Sequence, residues 1–180
     1  GKNLHFEITG NDILIEKITF RNFNFTGSGG AIDWYGHNGA LNDCNFINNF
    51  AGMSGGAVQW DGVNGSLTSC TFRFNNATRH GGGVSWNGIN GTLIGSTFIN
   101  NTAEINGGAF DWWEINGTVS DCIFIDNTAN NCGGAFSWAN AKGSVSNCNF
   151  NDNVANYGGA IYFHHAANGI LTNSIFKDNI

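Results

Sequence analysis

Charge is scarce in this sequence. Charged side chains occupy 11% of its 180 positions, far below the quarter usual in soluble domains, and the balance is acidic, at −6 with a pI near 5.1. No basic footprint exists, which argues against a nucleic-acid partner. No run of about 18 apolar residues occurs, so no segment reads as a membrane-spanning helix. No signal peptide is visible, and the chain opens on Gly1 rather than Met, as a processed or excised segment would. Proline is absent, leaving the 27 glycines and the many asparagines to make the corners. Low charge and high glycine suit disorder, but a fixed aromatic ladder argues against it.

That ladder is the dominant feature. Trp34, Trp60, Trp86, Trp112 and Trp138 stand 26 residues apart, and Phe163 follows after 25. Each ends one phrase: GGAIDW, GGAVQW, GGGVSW, GGAFDW, GGAFSW and GGAIYF. A second phrase, Asn38-Gly39-Ala40-Leu41, returns as NGSL, NGTL, NGTV, KGSV and NGIL. A third runs from Phe46 to Asn49. Its Phe returns as Phe72, Phe98, Phe124, Phe150 and Phe176, and its Asn as Asn75, Asn101, Asn127, Asn153 and Asn179. Phe20 begins an earlier copy, and Phe6 and Ile8 align with Ile32 and Trp34. A strict period of this size marks a solenoid.

Within a coil, Ile32, Asp33 and Trp34 alternate apolar, polar, apolar, as a strand does. Leu41, Cys44 and Phe46 mark a second inward strip, whose gap of three needs a bend. Gly pairs and Asn-Gly supply corners through positive φ. The expectation is an all-β, single-stranded parallel β-helix of about seven 26-residue coils, with three strands per coil, forming one domain over 1–180 without evident caps. Seven rungs at roughly 4.8 Å make a rod about 34 Å long. The column from Asn49 to Asn179 becomes an asparagine ladder, its amides bonded along the axis.

GGA followed by Ile, Val or Phe, paired with FxxN, resembles the repeats of chlamydial polymorphic outer membrane proteins. It resembles still more the adhesin-like surface proteins of methanogenic archaea. GGA is intact at 29, 55, 107, 133 and 158, position 81 opens GGGV, and the first coil reads Phe20-Arg21-Asn22-Phe23 in place of FxxN. The resemblance covers nearly the whole chain. It implies a right-handed β-helix that is exported and displayed on a cell surface.

Several residues invite a chemical role. The tryptophans read as core, each indole N–H needing a partner. Tyr35 and Trp113, one place beyond the ladder, are the candidates for stacking on sugar rings. Cys44, Cys70, Cys122 and Cys148 share a column with Ser96 and Ser174, and parallel stacking suits disulfide torsions poorly, so they read as free core thiols; Cys132 lies alone in a corner. Asp126, Asp152 and Asp178 stack on consecutive rungs, a solvated column or an all-oxygen calcium site that Lys177 partly offsets. No other cofactor is indicated. His164 and His165 read as a surface pair facing opposite ways. Asn24, Asn64, Asn76, Asn90, Asn100 and Asn116 fit the glycosylation sequon.

An enzyme working on polysaccharides needs converging carboxylates or an acid beside a base. Glu7 with Asp33, and Asp111 with Glu114, are the best pairs, but neither has a nearby base and no long insertion builds a groove. Ice binding needs a flat threonine column. Thr19, Thr71 and Thr97 share one, but Asn45, Ile123, Asn149 and Ile175 interrupt it. The leading expectation is a non-enzymatic, extracellular structural or adhesive module whose open end rungs stack head to tail into a filament. An excised adhesin segment that binds glycans or host cells is the alternative, and a polysaccharide-acting enzyme the second.

Overall fold

A computed structural model describes residues 5–140, 142–165 and 169–180. Among them there are only strands, turns and bends, with no helix. Strands three residues long recur once per coil and pair in parallel with their copies one coil away, forming three seven-stranded sheets. The chain is a β-solenoid.

The tryptophan sheet runs from Phe6–Ile8 through Ile32–Trp34, Val58–Trp60, Val84–Trp86, Phe110–Trp112 and Phe136–Ala139 to Ile161–His164. The leucine sheet holds strands such as Ala40–Asn42 and Ser66–Thr68, and the phenylalanine sheet strands such as Asn45–Ile47 and Thr71–Arg73. Register follows the period: Phe6 pairs Ile32, Trp34 pairs Trp60, and Phe72 pairs Phe98. A fourth sheet of five two-residue strands, Asn24–Phe25 to Thr128–Ala129, lies outside the sequence expectation of three strands per coil. Two residues are too few to show a period. The single-residue deletion in the last repeat falls just beyond it: Thr128 bridges Val154 at 26, but Cys132 bridges Tyr157 at 25.

Stacking in register puts like on like. The five ladder tryptophans are fully buried, with successive indoles 4.4–5.2 Å apart and nearly parallel. Trp138 meets Phe163 at 6.2 Å, where the shortened coil offsets the column. The Phe20 to Phe176 rings stack at 4.6–5.0 Å.

The corners refine the glycine argument. In each pair the first Gly has positive φ (Gly55, 66°), while the second lies against the next coil, where a Cβ on Gly56 would meet the carbonyl oxygen of Gly82. In Asn-Gly the roles invert. Asn64 takes the left-handed turn at φ 57°, and Gly65 leaves room for the Trp60 indole. Two further left-handed columns bend the gap between Cys44 and Leu41 and the end of the phenylalanine strand, at Asp43 and Asn48 in the second coil.

Candidate ligand-binding groove

The middle residue of each tryptophan-sheet strand points away from the core. Read along the axis these are Glu7, Asp33, Gln59, Ser85, Asp111, Ser137 and Tyr162, paired rung to rung. An outward column would ordinarily be solvated, yet Gln59, Ser85, Asp111 and Ser137 are buried. Two walls flank Asp33, Gln59 and Ser85 of this column. Tyr35, Asp61, Asn87 and Trp113, each directly after a ladder tryptophan, form one; Phe25, Ser28, Ser54 and His80, before the strands, form the other. Between them lies a trough of about 620 Å³.

Its hydrogen bonds are lopsided. The Gln59 side-chain amide donates to Asp61 Oδ1 at 2.9 Å, Asn87 Nδ2 donates to the same oxygen at 2.7 Å, and the Tyr35 hydroxyl donates to Asp33 Oδ2 at 3.0 Å. Those bonds use the donors and leave acceptors idle. Asp33 Oδ1, Gln59 Oε1, His80 Nδ1, Asp111 Oδ2 and Ser137 Oγ are buried without a hydrogen-bond partner, and only the Trp86 and Trp112 indole nitrogens share that state among the described residues. His80 Nδ1 and Asp111 Oδ2 face each other at 3.8 Å, too far for a hydrogen bond.

Burial sets the titration of this site. It raises the Asp33 carboxyl to about 6, with the Asp61 charge adding to the effect and the Tyr35 hydroxyl opposing it. Full burial raises Asp111 to about 7, and the neighbouring Ser137 and Trp113 side chains offset only part of this. The bond to Asp33 pushes Tyr35 to about 12. Burial, with Arg79 and His164 nearby, lowers His80 and favours neutral imidazole. The His80 ring also meets the edge of Trp113, at 5.4 Å and 87°.

The structure thus brings together Tyr35 and Trp113, singled out in the sequence, as half-exposed aromatics at the two ends of one trough. Glu7 and Asp33 do pair on adjacent rungs. Asp111 and Glu114 separate: Asp111 is buried on the outer side of the tryptophan sheet, while Glu114 lines another pocket with Ile115, Asn140, Lys142 and His165. Asp33 and Asp111 are three rungs apart, roughly 14 Å, beyond the ~5–10 Å at which paired carboxylates hydrolyse glycosides. Sequence reasoning missed His80, Gln59, Asp61 and Ser137. Their signal was positional, since each shares a column with a residue already named.

Other candidates take structural places. Asp126, Asp152 and Asp178 occupy the left-handed corner column with Asn48, Phe74 and Asn100, at φ 52–55° for the three. Asp tolerates that conformation, which accounts for the column without a cation. Among the described residues no group of three His, Cys, Asp or Glu is placed to hold a metal. The Lys177 ammonium lies 3.6 Å from the Asp178 carboxylate, both well exposed. All five cysteines are free and buried. Contact with the neighbouring thiol, together with burial, holds Cys70 and Cys122 well above the usual thiol range. His164 and His165 do not face opposite ways: His165 leaves the strand at φ 53°, so the rings stand 5.2 Å apart. The sequon residues Asn24, Asn64, Asn76, Asn90, Asn100 and Asn116 are all exposed. Asn64, Asn90 and Asn116 also continue an exterior ladder from Asn38, each Nδ2 donating to the Asn one coil before it at 3.0–3.2 Å.

A model of the Chlamydia polymorphic membrane protein repeat matches residues 121–137 and 147–164. Both stretches run from the phenylalanine strand into the GGA corner, 26 residues apart. These two coils are similar to that repeat. No curated protein and no solved structure matches the chain. Among the described residues no helix is long and apolar enough to cross a membrane.

Proposed function

We propose that the chain is a β-helix segment of a cell-surface protein, working without catalysis as a stiff adhesive rod. The match of two coils to a repeat of polymorphic membrane proteins carries the reading. The geometry supports it. A continuous core and rung-by-rung pairing give stiffness, and one long face carries a recessed polar trough between aromatics. Beads coated with the chain are expected to adhere saturably to cells, and soluble chain is expected to compete. Adhesion no better than that of beads bearing an unrelated solenoid would overturn the reading.

Self-stacking is the second reading. The first described rungs expose Phe6, Leu14 and Ile18, and the last expose Ile170, Ile175 and Phe176. A neighbouring coil covers such edges in a longer array, and another copy fits the same place. At such a joint the Phe176 column would meet Phe20, but the asparagine ladder would stop, because Phe23 stands where other coils carry Asn. Electron microscopy over a concentration series separates filaments from single rods.

A further inference from the structure

We propose that the trough on the outer face of the tryptophan sheet binds a neutral oligosaccharide laid along the rod axis. Its hydroxyls donate to Asp33 Oδ1 and Gln59 Oε1, and its sugar faces rest on Tyr35 and Trp113. The proposal rests on the adhesive reading and names the ligand class and the site.

A buried polar atom without a partner costs about 1–3 kcal/mol, so native structures keep few of them. Three of the seven such atoms among the described residues, Asp33 Oδ1, Gln59 Oε1 and His80 Nδ1, belong to residues that line the trough. The Gln59 carbonyl oxygen only accepts, Asp33 Oδ1 accepts when its carboxyl is ionised, and His80 Nδ1 accepts in the neutral ring protonated at Nε2. The Gln59 and Asn87 amides and the Tyr35 hydroxyl are committed to Asp61 and Asp33 within the protein. The unpaired acceptors therefore suit a partner rich in donors, presented at successive rungs about 4.8 Å apart.

Hydroxyl-bearing sugar rings meet that demand, and the aromatics fit the same chemistry. Tyr35 and Trp113 stand exposed at the ends of a trough that spans three rung steps, about 14 Å, and each ring offers an apolar face beside hydrogen-bonding groups, as carbohydrate requires. The tilt of Trp113 is held by the edge contact with His80, whose idle nitrogen points at Asp111. An acidic sugar is disfavoured, since Asp33 and Asp61 line the trough and like charges repel. A cationic ligand is less suited than a neutral one, because Asp61 is already satisfied by two amides and the unpaired Asp33 and Gln59 oxygens each take a hydroxyl donor.

The test is an array of neutral hexose and N-acetylhexosamine oligosaccharides beside uronic-acid and glucosamine oligosaccharides, followed by calorimetry on the best binder. The expected result is binding to a neutral series, insensitive to salt because no net charge is neutralised. Trp113→Ala and Gln59→Leu are each expected to weaken it roughly tenfold or more, as loss of a central contact does. Melting curves of both variants are taken beside the binding, so that weakened binding at an unchanged melting temperature reads the site rather than the fold. Preference for acidic or amine-bearing sugars, absence of neutral binding, or neutral binding untouched by Trp113→Ala would each overturn the proposal. Cell adhesion without any neutral-sugar binding removes this site and leaves the adhesive reading standing. Neutral-sugar binding without cell adhesion does the reverse.

Discussion

Asn101 shows how much one side chain does in a stacked coil. Its Nδ2 donates down to the Phe72 carbonyl at 3.0 Å and up to Asn127 Oδ1 at 3.0 Å, while its own Oδ1 accepts from both the backbone N–H and the Nδ2 of Asn75. Every polar atom of a fully buried amide is used, and three coils are joined. Asn101→Ala strands the Phe72 carbonyl and two donors of Asn75, and is expected to cost about 3 kcal/mol in a denaturant melt. Asp111 is the opposite case, a buried group left short of partners. Burial raises its folded-state pKa above the unfolded value, so the folded chain holds the proton more tightly. The stability this group supplies is present below about pH 4 and declines as pH climbs to about 7. The rise from 3.8 to about 7 corresponds to at most ~4 kcal/mol. Melting temperature is expected to fall between about pH 4 and pH 7, and Asp111→Asn to flatten that fall. An unchanged slope in the variant would show that Asp111 is not its source. The asparagine column was legible in the sequence because repetition aligns it. The burial of Asp111 was not, because alternation reports only that it faces away from the core.

At the scale of the coil, corners decide. Gly65 has an ordinary φ but faces an indole: a Cβ there would lie 2.5 Å from Trp60 atoms. Gly65→Ala is expected to lower stability by about 1–3 kcal/mol through overpacking. Gly95 is the contrast, with φ 58° and only the Ser69 hydroxyl near, at 3.8 Å. Asp43, Ser69, Asp121 and Asn147 hold the equivalent left-handed position. Gly95→Asn is therefore expected to be neutral, or stabilising by up to ~0.5 kcal/mol through a less free unfolded chain. Thermal melts of the pair check both. Composition marked Gly and Asn as corner residues, but not which member of Asn-Gly turns. That choice follows from the indole beneath the glycine, a contact between elements. The two-residue fourth strand was hidden for a related reason, since only pairing with adjacent coils makes it a strand.

Over the whole molecule, equal coils imply exchangeable coils. Deleting residues 79–104 joins Thr78 to Ile105 and preserves the 26-residue register. The product is expected to fold into a rod about 4.8 Å shorter by small-angle scattering, since each repeat contacts only its neighbours. Deleting half that length sets tryptophan strands against phenylalanine strands and is expected to leave the chain unfolded. Survival of the half-coil deletion would show that register does not hold the rod.

The period by itself determined the solenoid, the coil number, the aromatic and asparagine columns and the inward faces, because identical coils can stack only in register and stacking carries each column the length of the rod. Only the tertiary structure decided the trough. Its floor, its two walls and its unpaired acceptors come from four separate columns, Asp33 to Ser85, Tyr35 to Trp113, Ser28 to His80, and Phe25 at the edge. Their meeting depends on how sharply each corner turns, a matter of backbone angles and contacts between coils that repeat spacing does not encode.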